Sequence, residues 1–280
     1  MTQKHIRPRR SMLYVPGDKP RALEKARTLP VDGVIFDLED AVAPEAKDAA
    51  RAGIAAALAG DWGGRELILR VSAADCAADF DLADRLALDG VLLPKVEDAA
   101  TVLAAAGRTR HPIWSMIETP LGVLRAAGIA GAGDRLAGFV VGTNDLVKDL
   151  RARHVPDRTP ILTALSLILL AARAHGLAAI DGVHLGLDDM AGLEAACRQG
   201  RDMGFDGKTL VHPAGIDIAN RIFGPDAQEV AQARRIIAAW AEARAAGKGV
   251  ARIDGQMVEQ LHVDQAEALV ALAEAVAAAA

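Results

Sequence analysis

The sequence is poor in cysteine and aromatic residues, and no hydrophobic run is long enough for a membrane span. Its two cysteines, Cys76 and Cys197, lie far apart without a CxxC pair, so neither a disulfide framework nor a structural zinc site is supported. The most apolar helical stretch, Ile161–Ala172, is too short to cross a bilayer. Residues 1–10 carry charge without a following apolar run, which argues against a signal peptide. These absences predict a cytoplasmic protein without membrane contact.

The chain has enough apolar residues for a large core. Of its 280 residues, 51% are hydrophobic and 25% are charged, which excludes wholesale disorder. The 32 Lys and Arg residues against 37 Asp and Glu residues give a net charge of −5. Because no basic field is available to displace counterions from phosphates, we expect no nucleic-acid partner.

Short strand-like runs alternate with alanine- and leucine-rich segments of helical periodicity. The predicted strands are Ser11–Pro16, Gly33–Glu39, Glu66–Ser72, Gly90–Val96, Pro112–Thr119, Leu136–Thr143, Ala179–Leu185 and Gly207–Pro213. The predicted helices are Pro20–Leu29, Pro44–Leu58, Ala77–Leu88, Asp98–Ala106, Leu121–Ile129, Ile161–His175 and Asp188–Met203. The basic run Arg151–Arg158 is expected to be a solvated loop.

Eight such units over about 220 residues predict an α/β fold of the (β/α)8 TIM-barrel type. An open doubly wound sheet is less consistent with the pattern, because no GxGxxG follows any strand. We therefore assign residues 1–224 to the barrel and residues 225–280 to a C-terminal helical appendage. In the appendage, helices are predicted over Asp226–Ala246 and Asp264–Ala280, separated by the short segment Val250–Val258.

Charged residues lie at or just after the carboxyl ends of the predicted strands, and in a barrel these positions share one rim. They include the acidic run Asp37–Asp40 with Glu39, then Arg70, Lys95, Glu118 and Asp145. A single such residue could merely cap the next helix. Several carboxylates close together repel one another, and a hard divalent cation such as Mg²⁺ offsets that repulsion.

Taken in order, the motifs resemble the HpcH/HpaI aldolase superfamily, in particular the branch of citrate lyase beta subunit-like proteins. The matching segments are Arg10–Gly17, Asp37–Val42, Leu69–Val71, Leu93–Lys95, Ile117–Thr119, Gly142–Leu146, Gly204–Lys208 and His212–Pro213. The resemblance runs from about residue 8 into the tail. It implies a TIM-barrel lyase that uses Mg²⁺ and a thioester of coenzyme A or an acyl carrier.

Carried over by motif, the resemblance gives each rim residue a role. Glu118 and Asp145 are the implied Mg²⁺ ligands, and Glu118 also lies within reach of the substrate. Arg70 is the implied substrate-binding and catalytic cation, which suits the negative charge that develops on a thioester enolate. Glu39 and Asp40 are the implied acidic pair that orients Arg70 and metal-bound water.

The C-terminal tail supplies a candidate acid/base. Relatives carry a Gly-x-Met-(Ile/Val)-Asp segment that covers a neighbouring subunit's active site, and here the segment is Asp254–Glu259. Glu259 stands where Asp is usual. Glutamate is also a competent base, although its extra methylene moves the carboxylate and position matters for rate. A solvated tail carboxylate is the alternative interpretation.

Three further basic residues are candidate substrate contacts. Lys19 and Arg21 follow the first strand on the same rim and could meet the phosphates of coenzyme A, although Pro20 is also an ordinary helix start. Lys95 could contact either the substrate or the acidic cluster.

The predicted reaction is Mg²⁺-dependent carbon–carbon cleavage of a malyl-CoA or citramalyl-CoA type of thioester. Its products would be a 2-oxo acid and a short acyl-CoA, and the enzyme would be a homo-oligomer, a trimer or hexamer. The alternatives are a malyl-CoA thioesterase, the citryl-thioester lyase beta subunit of a larger complex, and a non-catalytic CoA-binding barrel.

Overall fold

The computed structural model describes residues 7–279 and places eight parallel strands in a closed barrel. The strands lie around the barrel in chain order, and the first pairs with the eighth. They are β1 (Ser11–Pro16), β2 (Gly33–Asp37), β3 (Glu66–Arg70), β4 (Gly90–Leu93), β5 (Ile113–Ile117), β6 (Leu136–Val141), β7 (Ala178–Asp181) and β8 (Gly207–Leu210). The predicted (β/α)8 barrel is confirmed. Residues 1–6, on which part of the signal-peptide prediction rests, lie outside the described range.

Helices connect the strands. They are α1 (Pro20–Ala26), α2 (Lys47–Leu58), α3 (Ala77–Ala83), α4 (Ala99–Arg108), α5 (Pro120–Leu124), α6 (Ala126–Ala130), α7 (Thr143–Asp149), α8 (Leu162–Ala174), α9 (Met190–Met203) and α10 (Ile216–Phe223). The single helix predicted over Leu121–Ile129 is divided at Arg125, whose backbone leaves the helical region at φ −102° and ψ 4°. Neither α7 nor α10 was predicted, and α7 was missed because the strand pattern was extended to Thr143.

Seven of the strands end two to four residues earlier than the sequence pattern predicts. The apolar run continues after the hydrogen-bonded ladder has stopped, as at Leu38 and Val96, which are both buried in loops. Glu39, Lys95 and Glu118 therefore lie just beyond their strands, and Asp145 lies in the first turn of α7.

The barrel interior is filled by alternate residues of the strands, as the two-residue period of a strand requires. One apolar cluster fills it: Met12, Ile35, Ile68, Leu92, Trp114, Met116, Val140 and Ile180. Trp114 is fully buried between two glycines on the neighbouring strands, since a Cβ at Gly90 or Gly138 would overlap the indole ring. Replacing Trp114 with alanine would destabilise the fold by about 3–5 kcal/mol.

Ion pairs close the N-terminal end of the barrel. Arg9 Nε lies 2.6 Å from Glu66 Oε2, and its guanidinium covers the Trp114 ring at 5.1 Å from the ring centroid. Arg10 Nη2 lies 2.7 Å from Asp32 Oδ1. We call these two pairs, Arg9–Glu66 and Arg10–Asp32, the N-terminal rim.

The prediction of a solvated loop over Arg151–Arg158 is wrong at its last residue. Arg158 Nη1 lies 2.8 Å from both carboxylate oxygens of the fully buried Asp181, which Lys208 Nζ also contacts at 2.8 Å. Burial raises the pKa of Asp181, but the two cations outweigh it and hold that pKa below its ordinary value. Arg158 adopts a left-handed backbone, φ 55°, at this contact.

The segment from Gly224 onwards forms a second compact unit, apart from the unit Arg9–Phe223. It contains α11 (Ala227–Ala245), a hairpin of β9 (Ala251–Ile253) and β10 (Gln256–Val258), and α12 (Gln260–Ala279). Asp226 and Glu229 form a capping box at the start of α11. The last helix begins at Gln260, earlier than predicted, because the short segment before it turns back as a hairpin. No helix in the described range could cross a membrane.

Candidate active site

The C-terminal ends of the strands surround a cavity of about 360 Å³. Its lining includes four acidic side chains, together with Arg70, Tyr14, Met116 and Asn144; the acids are Asp37, Asp40, Glu118 and Asp145. We call the charged residues of this end the C-terminal rim: Asp37, Glu39, Asp40, Arg70, Lys95, Glu118 and Asp145. A concave site with convergent ionisable groups is the usual form of a ligand site.

Arg70 is held in one position by carboxylates on both sides. Its Nε and Nη2 donate to the two oxygens of Asp37 at 2.7 and 2.6 Å, across the β2–β3 register that pairs these two residues. Nη1 lies 2.7 Å from Glu39 Oε2. Burial lowers the pKa of Arg70, but Asp37 more than offsets it and the pKa lies above its ordinary value. The guanidinium is therefore a fixed positive charge.

Lys95 contacts both Glu118 and Glu39 of the C-terminal rim. Its backbone is left-handed, φ 50°, and its N–H donates to Glu118 Oε1 at 2.8 Å. Its Nζ donates to Glu39 Oε1 at 2.5 Å and lies 3.8 Å from Asp40 Oδ1. One residue in an unfavourable conformation thus positions Glu118 with its backbone and Glu39 with its side chain.

Glu118 and Asp145 are neighbouring carboxylates whose pKa values shift in opposite directions. Burial raises the pKa of Glu118 to about 7, and the negative charges of Glu39 and Asp145 add to that rise. Burial also acts on Asp145, but a 2.8 Å hydrogen bond from Lys148 outweighs it, and the pKa of Asp145 lies below its ordinary value. A glutamate that still binds a proton near neutrality exchanges that proton readily for a cation.

These residues fit a magnesium ion. No group of three or more acidic, histidine or cysteine side chains is arranged as a metal site within residues 7–279. Mg²⁺ needs fewer, because it commonly binds one or two carboxylates and keeps several waters and substrate oxygens. Glu118 and Asp145 are such a pair, and the buried Asn144 Oδ1 beside them has no hydrogen-bond partner in the described chain. Gly142 makes room for this arrangement, since a Cβ there would overlap the Glu118 carboxylate.

The structure brings together most, but not all, of the residues predicted from the sequence. Arg70, Glu118 and Asp145 line the cavity, and Glu39 and Lys95 support them. The implied pairing of Glu39 with Asp40 around Arg70 differs from what is observed. Asp37 takes that place, while Asp40 is 63% exposed and has Lys95 as its ion-pair neighbour.

The basic residues after β1 lie away from the cavity lining. Lys19 pairs with the adjacent Asp18 and is 61% exposed, and Arg21 is exposed on α1. Glu259 lies in the second compact unit, where its N–H donates to His262 Nδ1 at 3.0 Å at the start of α12. Its role in a neighbouring subunit's site stays a prediction.

Two lining residues, Asp37 and Tyr14, had no assigned role in the sequence analysis. The two-residue period could have found both. Asp37 follows the inward-facing Ile35 by two positions, and Tyr14 follows the inward-facing Met12 by two positions. The apolar run through Leu38 hid this alternation.

Comparisons with known proteins agree with this fold. The sequence model of the HpcH/HpaI aldolase/citrate lyase family matches residues 10–213. The chain is 50% identical over 276 residues to a (3S)-malyl-CoA thioesterase of Cereibacter sphaeroides (strain KD131 / KCTC 12085), covering 97% of this chain and 96% of that protein. It is 36% identical over 290 residues to the citrate lyase subunit beta of Escherichia coli (strain K12), covering 98% and 96%.

Among solved structures, the chain resembles the protein CitE from Mycobacterium tuberculosis in complex with magnesium, acetoacetate and coenzyme A. The TM-score is 0.77 at 33% sequence identity, and the match covers 94% of this chain and 97% of that one. The similarity therefore extends over the barrel and beyond the matched family segment.

Proposed function

The chain belongs to the HpcH/HpaI aldolase/citrate lyase family, and on that premise we propose that it is a Mg²⁺-dependent enzyme acting on malyl-CoA or a related 3-hydroxy-dicarboxylic acyl-CoA. We further propose that it hydrolyses the thioester to free CoA and the dicarboxylic acid. The 50% identity to a (3S)-malyl-CoA thioesterase, against 36% to a citrate lyase subunit beta, favours hydrolysis over the carbon–carbon cleavage expected first from the sequence.

The Glu118–Asp145 pair is the observation that best supports a metal-dependent reaction. These carboxylates would hold Mg²⁺, which when bound supplies a Lewis acid that polarises substrate oxygens. Glu118 is 1% exposed and has a pKa of about 7, because its surroundings do not fully compensate the negative charge of its ionised form. Lys95 fixes one Glu118 oxygen through its backbone N–H and leaves the other directed toward Gly142.

Arg70 would stabilise the negative charge that develops on the thioester oxygen. Asp37 and Glu39 hold the guanidinium by three of its nitrogens before substrate arrives, so little reorganisation accompanies the reaction. No cysteine, serine or histidine of the described chain lines the cavity. In the proposed reaction the acyl group passes directly to water, without the nucleophile–histidine arrangement of many acyl transferases.

Glu259 is the proposed acid/base, supplied by a neighbouring copy in a trimer or hexamer. The hairpin before it is exposed at Gln256 and Met257, which suits a segment that contacts another chain. Lys19 and Arg21 remain proposed contacts of the CoA phosphates, and their exposure leaves them free to reach an anionic ligand.

Carbon–carbon cleavage of the same thioester is the second candidate. The family match and the similarity to citrate lyase subunit beta favour it, and the same rim residues would serve it. The two reactions differ in whether water reaches the thioester carbon.

The test is product analysis with (3S)-malyl-CoA, with Mg²⁺ and with excess EDTA. Free CoA and malate, formed only with Mg²⁺, are the expected products. Glyoxylate and acetyl-CoA as products would instead show that the reaction is carbon–carbon cleavage. If malyl-, methylmalyl-, citramalyl- and citryl-CoA are all unchanged, the proposal is contradicted, and a carrier-linked citryl lyase subunit or a non-catalytic barrel would take its place.

A further inference from the structure

The phenol of Tyr14 is a buried hydrogen-bond donor without a partner in the protein. Tyr14 lies in β1, on the inward face two residues after Met12, and it lines the cavity. Its Oη is shielded from solvent, and no group within residues 7–279 accepts its hydrogen bond. A buried hydroxyl without a partner costs about 1–3 kcal/mol. Because Tyr14 lines the cavity, a ligand there could supply the missing acceptor.

Tyr14 is adjacent to the fixed cation of the site. The guanidinium carbon of Arg70 lies 4.8 Å from the centroid of the Tyr14 ring, which is a cation–π contact. Burial raises the pKa of Tyr14 above its ordinary value, so the phenol keeps its proton at neutral pH and remains a donor. A neutral donor and a cation are thus placed side by side, on β1 and β3.

The acyl group has two ends that bear oxygen, and the cavity has two different sides. The side formed by Glu118, Asp145 and Asn144 offers oxygen ligands to a cation, so we assign the hydroxy-acid end of the substrate to that side. The side formed by Tyr14 and Arg70 offers donors. The thioester carbonyl oxygen is the remaining acceptor of the acyl group.

We propose that Tyr14 is a catalytic residue whose phenol donates a hydrogen bond to the thioester carbonyl oxygen, beside Arg70. The inference rests on the proposed function only for the substrate class, a CoA thioester. In hydrolysis, water gives up one proton to a base as it adds to the carbonyl carbon, and the π electrons move to this oxygen. They return as the carbon–sulfur bond breaks, and the thiolate takes a proton to become CoA.

In carbon–carbon cleavage the same oxygen receives the charge. The hydroxyl proton goes to a base, the carbon–carbon bond breaks, and its electron pair forms an enolate on the thioester. The enolate carbon is then protonated to give the acyl-CoA. Tyr14 therefore serves either reaction, and its test does not depend on which one occurs.

The first test is kinetic. Tyr14→Phe removes only the hydroxyl, and we expect kcat to fall about 10²-fold with little change in KM, since a donor to a developing oxyanion acts mainly in the transition state. Its melting temperature should not fall, because no hydrogen bond within the protein is lost. Ser115→Ala is the matched control: Ser115 Oγ is also buried and unpartnered, but it lies outside the cavity lining. Equal kcat in wild type and Tyr14→Phe would overturn the proposal.

The second test needs no turnover. Tyr14 is the only tyrosine of the chain, so protein labelled with [ζ-¹³C]tyrosine gives one ring signal by NMR. With Mg²⁺ present, acetyl-CoA should shift that signal, whereas S-ethyl-CoA, the thioether without the carbonyl oxygen, should not. Equal shifts with both compounds, or no shift with either, would overturn the assignment of Tyr14. A failure of malyl-CoA turnover with the acetyl-CoA shift intact would instead count against the proposed reaction alone.

Discussion

The two ends of the barrel carry charge in opposite ways. In the two ion pairs of the N-terminal rim each carboxylate has its own arginine, Arg9 with Glu66 and Arg10 with Asp32, at 2.6 and 2.7 Å. At the C-terminal rim five carboxylates meet Arg70 and Lys95, with Lys148 at the edge, and the pKa of Glu118 rises to about 7. The first arrangement stabilises the fold. The second keeps uncompensated negative charge and an unpartnered phenol where a ligand can bind.

The comparison fails if matched changes at the two rims have the same consequence. Glu118 and Glu66 are both nearly buried glutamates, 1% and 3% exposed. Glu118→Gln should lower kcat with malyl-CoA by about 10³-fold or more, because a neutral amide is a poor ligand for the cation that the reaction needs. Steady-state kinetics of Glu118→Gln and of the matched variant Glu66→Gln checks this difference. A Glu118→Gln enzyme of near wild-type activity would contradict the assignment of the site.

Glu259 tests whether the C-terminal rim is complete within one chain. Glu259→Ala should lower turnover about 10²-fold, the usual contribution of a general acid or base. Glu259→Asp, which restores the residue usual in relatives, is the control and should retain most of the activity. Unchanged turnover in Glu259→Ala would remove the residue from the mechanism.

The raised pKa of Glu118 predicts how Mg²⁺ binding depends on pH. Proton and metal compete for the same carboxylate, so the apparent Kd for Mg²⁺ should rise about tenfold per unit as pH falls below about 7 and level off above it. In metal-free protein, the folding stability changes with pH in the opposite direction to Mg²⁺ binding. A carboxyl whose pKa is raised on folding favours the folded state at low pH, and that contribution is lost as pH rises through 7. Calorimetry at several pH values, and thermal melts with EDTA, measure the two effects, and a pH-independent Kd would contradict the account.

The smallest kinetic effect is expected at the N-terminal rim. Glu66→Gln breaks the pair with Arg9, and we expect the free energy of unfolding to fall by about 2 kcal/mol. Since this rim lies at the other end of the barrel, kcat and KM should be unchanged. Urea denaturation and kinetics of the same preparation check both statements. A loss of activity without a loss of stability would show that the rims are coupled.

The sequence predicted the barrel well because its strands and helices have different hydrophobic periods. All eight strands were found, and the charged residues after them predicted which rim carries the site. What it could not predict was which of adjacent acids points inward. Asp37 and Glu39, rather than the exposed Asp40, hold Arg70, because β2 ends at Asp37 and the chain then turns.

Long-range pairing was also invisible in the sequence. Arg158 belongs to a polar, basic run that suggests solvent, yet its partner Asp181 is 23 residues later on β7. Local composition does not show such a contact, since it depends on how α8 returns the chain to the barrel. The early start of α12 has a similar cause, because three-residue strands give too little period to distinguish a hairpin from a loop.

The most direct test of the account is a calorimetric titration of Mg²⁺ into wild type, Glu118→Gln and Glu66→Gln protein, without any thioester. We predict saturable binding of one Mg²⁺ per chain to the wild type and to Glu66→Gln, and none to Glu118→Gln. Saturable binding that survives in Glu118→Gln, or is missing from the wild type, would contradict the claim that the unbalanced C-terminal rim is the metal-dependent active site.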